Sequence, residues 1–199
     1  MSDIQCFLAQ VNAGILPAGL AGQLPAEIAT HYSTGSKGVI DLVVAQSPVP
    51  PVFPIKEPVG AYYLHDMLGA VTGNQTHPPK IAVLYASSYA IATPGVLGVM
   101  FDRGFTTDDD PNPVNQPARL GCAVFLDSIR RLRGDGANFT AEAIFTTLHE
   151  LGHVFNLWHI EDGRNIMSTS RENSVIPRGL WVFEDTQKNW LATHRAVPS

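Results

Sequence analysis

The chain has 199 residues, of which 45% are hydrophobic and 16% charged, so it can bury the core of one domain and lacks the composition of a disordered protein. Its formal net charge of -5 comes without a clustered Lys/Arg stripe, which argues against nucleic acid or an anionic membrane surface as the main partner. No segment reaches the ~18 apolar residues that a membrane-spanning helix needs.

The N-terminal part of the chain is expected to be an extension in front of one folded domain. Residues 1–37 mix a short apolar segment with Gly and Pro breaks, and their structure is left open; the domain is predicted over residues 38–199. Asp3 stands where a signal peptide would carry Lys or Arg, so the chain as given shows no export signal.

Three segments have the composition of β-strands, and one that of a helix. Residues 39–44 are short and β-branched, and residues 81–85 form the continuous apolar run of a buried strand. Residues 96–102 are flanked by glycines and interrupted by Gly98, which is typical of an edge strand. Residues 60–72 carry apolar residues at helical spacing and predict an amphipathic helix.

Two features leave alternatives open. Asp108, Asp109 and Asp110 offer the hard oxygen ligands that calcium prefers, but no EF-hand spacing accompanies them, and a solvated acidic loop is the commoner structure. Cys6 and Cys122 allow a single disulfide, whose geometry the sequence does not decide.

A helix is predicted over residues 140–156. Thr140 is an N-cap type of residue, and Glu142 lies in the first turn, where the helix dipole favours a carboxylate. At ~100° per residue, one narrow apolar stripe follows, made of Ile144, Leu148, Leu151 and Phe155. The basic run before this helix is interpreted as a solvated loop without a role: Arg130, Arg131 and Arg133.

The other face of this helix has the spacing of a zinc site. His149 and His153 are four residues apart, so both imidazoles can reach one ion, with Glu150 beside them. His159 is the natural third ligand if the chain leaves the helix and turns back. Asn156 fits that turn, because Asn enters the left-handed conformation more easily than other residues with a side chain.

These residues, followed by Met167, resemble the metzincin zinc metalloproteases, whose pattern is HExxHxxGxxH plus a Met-turn. Asn156 stands where that family usually has Gly. The eight-residue step from His159 to Met167 is most like that of the matrixins, whereas Asn-Ile-Met-Ser is not their sequence, so the resemblance is to the clan. It implies an α/β, zincin-like catalytic domain with a twisted mixed sheet, an active-site helix, a Met-turn and a C-terminal helix, here expected over residues 185–193.

The resemblance also implies roles for individual residues. The chain would be an endopeptidase with one catalytic zinc on His149, His153 and His159, a metal-activated water, and Glu150 as general base. The side chain of Met167 would form an apolar floor below the metal. The predicted edge strand would pair with a peptide or protein substrate through Val96, Leu97, Gly98, Val99 and Met100, and the next inner strand would be Cys122 to Asp127. Secretion would be typical of the family.

Three alternatives remain at this level. A gluzincin would draw its third ligand from Glu172 or Glu184. A catalytically inactive or latent zinc module would bind peptides or protein partners without cleaving them. Trp181 and Phe183 either line the pocket beside the zinc or pack in the core.

Overall fold

The computed structural model describes residues 4–10, 15–32, 42–46, 80–89, 95–101, 121–161, 164–168 and 181–193. In chain order the elements are β1 (Ile4–Gln10), α1 (Ala18–Tyr32), β2 (Leu42–Gln46), β3 (Lys80–Ala86), β4 (Gly98–Phe101), β5 (Gly121–Phe125), α2 (Leu126–Arg133), α3 (Ala137–Val154) and α4 (Asp185–Thr193). The predicted helix over 60–72 and the candidate calcium ligands at 108–110 lie outside the described residues.

The five strands form one mixed sheet in the order β2-β1-β3-β5-β4. β2, β1, β3 and β5 are parallel to one another, and β4 pairs antiparallel with β5 at the edge, with Gly98 opposite Val124. The side chains of residues 81–86 are all buried, as expected of a parallel strand covered on both faces. The predicted mixed α/β architecture and the predicted edge strand are confirmed.

The boundary predicted at residue 37 does not separate an extension from the fold. β1 lies between β2 and β3, and α1 buries Leu20, Leu24, Ile28 and Tyr32 in the core that it shares with α3. The hydroxyl of Tyr32 donates a hydrogen bond to the carbonyl of Leu148 on α3. The composition of residues 1–37 did not indicate that they belong to the domain, because parallel strands pair segments that are distant in the sequence.

The region before the helix that carries His149 and His153 also differs from the prediction. Leu126 and Asp127 begin α2 instead of ending a strand, so the three arginines lie on a helix and not in a loop. α3 begins at Ala137, and Thr140 lies inside it, with its hydroxyl donating to the carbonyl of Gly136 at 3.1 Å. The prediction of Thr140 as an N-cap was wrong, because a Thr hydroxyl inside a helix can also donate to the backbone carbonyl four residues earlier.

An ion pair joins these two helices. Nε of Arg133 donates to Oε2 of Glu142 at 2.7 Å, and the Glu142 side chain is only 5% exposed. Arg133 therefore compensates a buried carboxylate on the helix that carries His149 and His153. Its pairing gives this arginine a structural role that the sequence did not indicate.

Both cysteines are free and buried. Burial raises the pKa of the Cys6 thiol to about 12 and that of Cys122 well above its ordinary value. Among the described residues, no helix is both long and apolar enough to cross a membrane.

Candidate metal centre

Three histidine side chains converge beside the C-terminal half of α3. The Nε2 atoms of His149 and His153 are 3.2 Å apart, those of His149 and His159 are 3.2 Å apart, and those of His153 and His159 are 2.9 Å apart. Tetrahedral zinc with ~2.05 Å bonds needs ligand nitrogens ~3.3 Å apart. Within the described residues these three histidines form the only such group of potential metal ligands, and their spacing fits one zinc ion.

The turn after α3 brings the third histidine back to the other two. Asn156 has φ 62°, the left-handed conformation that its residue type predicted. The N–H of Leu157 donates to the carbonyl of Gly152 at 2.9 Å, and that of Asn156 to the carbonyl of His153 at 2.9 Å. This is a Schellman-type helix end with Asn in the place that Gly usually takes.

Backbone carbonyls orient two of the rings. Nδ1 of His149 lies 2.8 Å from the carbonyl oxygen of Ile166, and Nδ1 of His153 lies 2.9 Å from that of Leu157. An Nδ1–H that donates to a carbonyl leaves the lone pair of Nε2 for the metal. Burial lowers the pKa of His149 to about 4 and lowers the pKa of His159, so both favour the neutral form that a metal ligand needs.

The carboxyl group of Glu150 lies between α3 and the edge strand. It is 7% exposed, and burial raises its pKa to about 8. A Cβ atom on Gly98 of β4 would lie 2.6 Å from Cγ and 2.8 Å from Oε1 of Glu150. The glycine that interrupts the predicted edge strand therefore gives this carboxyl its space, a role that the sequence did not reveal.

The segment with Met167 packs against α3, the helix that carries His149 and His153. Met167 is fully buried, and its sulfur lies where a Cβ atom on Gly152 would be. Its N–H donates to Oδ1 of Asn165 at 2.7 Å, and Nδ2 of Asn165 donates to Oε1 of Gln187 on α4 at 2.9 Å. The sequence predicted neither bond, because a polar residue on a helix gives no local sign of a partner that is distant along the chain.

The aromatic residues after this segment belong to the core. Trp181 is 2% and Phe183 4% exposed. The Trp181 ring meets Phe145 edge to face at 5.4 Å, and the Phe145 ring stacks on His149 at 6.1 Å between centroids. Of the two glutamates considered as a third ligand, Glu184 is exposed and outside the histidine group, and Glu172 lies outside the described residues.

A cavity of about 280 Å³ opens beside His153 and His159. In the part of the chain that the structure describes, its walls are Met100, His153, Asn156, Leu157, Trp158 and His159. Trp158 is 62% exposed, although its neighbour Leu157 is buried.

No protein-family model and no curated protein matches this chain. Among solved structures, it is similar to archaemetzincin from Methanopyrus kandleri, with 18% identity, a TM-score of 0.60, and coverage of 95% of this chain and 93% of that chain. It is also similar to a zinc-dependent peptidase from Methanocorpusculum labreanum, with 15% identity, a TM-score of 0.61, and coverage of 94% of this chain and 99% of that chain. At these identities the likeness establishes the architecture alone, and the chain shares the mixed α/β fold of these two proteins.

Proposed function

We propose that this protein is a zinc-dependent endopeptidase of the metzincin type. The observation that carries the proposal is the convergence of three Nε2 atoms within 3.2 Å of one another, next to a buried glutamate on the same helix. The printed descriptions of the two similar structures name a peptidase and an archaemetzincin, which supports the same activity. Structural zinc sites usually have a fourth protein ligand and are rich in Cys, and neither feature accompanies these histidines among the described residues.

Each residue around the histidines has a part in this proposal. Zinc, when bound, would act as a Lewis acid on the scissile carbonyl and acidify water. Glu150 would accept a proton from the attacking water and pass it to the leaving amine. The carbonyls of Ile166 and Leu157 would keep the rings of His149 and His153 aimed at the metal. Met167 would support the ligand helix from below through its contact with Gly152.

The edge strand would hold the peptide. β4 is at the edge of the sheet, and within the described residues one of its sides has no strand partner. An extended peptide that pairs with this edge gains main-chain hydrogen bonds with little demand on its sequence. Because Gly98 lies against Glu150, the paired peptide bond would be close to the general base. The role of Val96, Leu97, Gly98, Val99 and Met100 in binding substrate is part of this proposal.

The test compares metal content and proteolysis in the wild type and Glu150→Gln. We expect about one zinc per chain in both proteins, with hydrolysis of an unfolded protein such as casein reduced at least ~100-fold in Glu150→Gln, the scale typical of a lost general base. Glu184→Gln is the matched control, since this exposed glutamate lies outside the histidine group and should change neither value.

The ligand assignment is tested separately with His159→Ala. This substitution should remove the zinc, because it deletes one of three ligands. Full zinc content in His159→Ala would contradict the site. Zinc in the wild type with no cleavage of casein or peptides would contradict the endopeptidase and favour the latent or binding module instead.

A further inference from the structure

The cavity beside the proposed metal centre is large enough for one aromatic or large aliphatic side chain. Its volume of about 280 Å³ is slightly below the ~300–1,000 Å³ of pockets that enclose whole small ligands. Two metal ligands, His153 and His159, form part of its wall, so the cavity opens at the place where the scissile bond would lie. A substrate residue next to that bond can therefore enter it.

The walls select for an apolar occupant. The apolar part of the wall comes from the thioether of Met100, the aliphatic side chain of Leu157 and the indole of Trp158. A Met side chain adapts its shape to an occupant, and a Trp ring offers a large contact area. Among the described lining residues none is Asp, Glu, Lys or Arg, so a charged side chain would lose water without gaining an ionic partner. The 62% exposure of Trp158 is high for an indole and leaves its face available to a partner.

The direction of β4 decides which side of the scissile bond the cavity serves. Gly98 lies against Glu150, and Met100 is two residues further toward the C-terminal end of the strand. Antiparallel pairing is slightly more stable per residue than parallel pairing, so we take it for the bound peptide. Residues that precede the scissile bond then lie beside Met100.

We infer that the cavity between Met100 and Trp158 is a specificity pocket that takes an aromatic or large aliphatic side chain on the amino-terminal side of the scissile bond. This inference rests on the proposed endopeptidase function and adds its substrate class: peptides with Phe, Tyr, Leu or Met at that position. Trp158 is the residue that would determine the preference.

The experiment begins by mapping cleavage sites in an unbiased peptide mixture by mass spectrometry. Quenched fluorogenic peptides are then made that differ only at the enriched position, carrying Phe, Leu, Ala, Glu or Lys. For the wild type we expect kcat/KM for Phe to exceed that for Ala by at least ~10-fold, the scale on which apolar pockets discriminate. In Trp158→Ala the ratio should fall to about 2-fold, and Trp158→Lys should favour the Glu peptide.

Two further measurements separate this inference from the proposed function. Zinc-loaded Glu150→Gln is titrated with the Phe and Ala peptides, and tighter binding of the Phe peptide should disappear with Trp158→Ala. Leu132→Ala removes another exposed apolar side chain, 36% exposed on α2, and should leave selectivity and zinc content unchanged.

The outcomes are distinct. Two results would overturn the pocket alone. One is cleavage of casein without a preference at any position before the scissile bond. The other is a preference that remains in Trp158→Ala. Absence of cleavage by the zinc-loaded wild type would refute the endopeptidase. In that case equal binding of the two peptides would refute the pocket as well.

Discussion

At the scale of single residues, the backbone at two positions allows the side chains of the candidate site to come together. Asn156 follows α3 in a left-handed conformation, and the absence of a side chain at Gly98 leaves room for the carboxyl group of Glu150. The first was predictable, because a helix end depends on the φ preference of one residue. The second was not, because it arises from an approach between residues 52 positions apart in the sequence.

In the proposed endopeptidase, Gly98→Ala should slow peptide hydrolysis without removing zinc. The added methyl would lie 2.6 Å from Cγ of Glu150, so the carboxyl must move. We expect kcat to fall by at least ~10-fold with KM within about 2-fold, since a misplaced catalytic group costs rate while β4 can still pair with the peptide. Steady-state kinetics and zinc analysis measure this.

The control for this prediction is Gly22→Ala on α1. A Cβ atom there would have no heavy atom within 4 Å, so activity should be unchanged. Unchanged kcat in Gly98→Ala, or a loss of zinc that accounts for the whole decrease, would refute the positioning role of Gly98.

At the scale of secondary structure, the proposed metal centre depends on elements that lie outside the segment from His149 to His159. Asn165 and Gln187 connect the Met167 segment to α4, and the carbonyl of Ile166 in that segment orients His149. The indole N–H of Trp190 on α4 donates to the carbonyl of Phe155 at 3.2 Å, at the end of the ligand helix. The C-terminal helix, confirmed over residues 185–193, thus supports both sides of the site.

At the proposed metal centre, Gln187→Ala should weaken zinc binding although none of the three histidines changes. Oε1 of Gln187 accepts hydrogen bonds from Asn165 Nδ2 and from the N–H of Glu184, so its loss leaves two donors without this partner. We expect zinc affinity to fall about 10-fold, the lower end of the effect of losing an outer-shell contact. Competition with a chromophoric chelator measures the affinity.

Lys188→Ala is the control on the same helix. Lys188 is 56% exposed and pairs with Asp185 at 3.1 Å on the surface, where an ion pair contributes little. Equal zinc affinity of Gln187→Ala and Lys188→Ala would mean that α4 does not support the metal centre.

At the scale of the whole molecule, the core gives the protein a sensitivity to alkaline pH. Burial raises the pKa of Cys6 from 9.0 to about 12, so the folded state retains its proton where the unfolded state loses it. The contribution of this thiol is complete below pH 9 and is lost as pH rises toward 12. The pKa values of Cys122, Tyr32 and Tyr85 are raised by burial as well, and they add to the same trend.

The free energy of unfolding should therefore decrease between pH 8 and pH 10. For Cys6 alone the decrease is about 1.4 kcal/mol for each pH unit above its unfolded pKa. Urea unfolding at both pH values, in the wild type and in Cys6→Ala, isolates this contribution, because the variant should lose less stability over the same range. Equal losses in the two proteins would show that the Cys6 thiol is not protected by the fold.

The sequence alone determined the local part of this site: a helix with His149, Glu150 and His153, a left-handed turn at Asn156, and His159 after it. These follow from helical spacing and from the conformational preference of one residue, so neighbouring positions suffice. Only the tertiary structure placed β1 between β2 and β3, Gly98 against Glu150, and the carbonyl of Ile166 on His149. Each of these joins residues that are distant along the chain, and burial and close packing, which no local pattern records, bring them together.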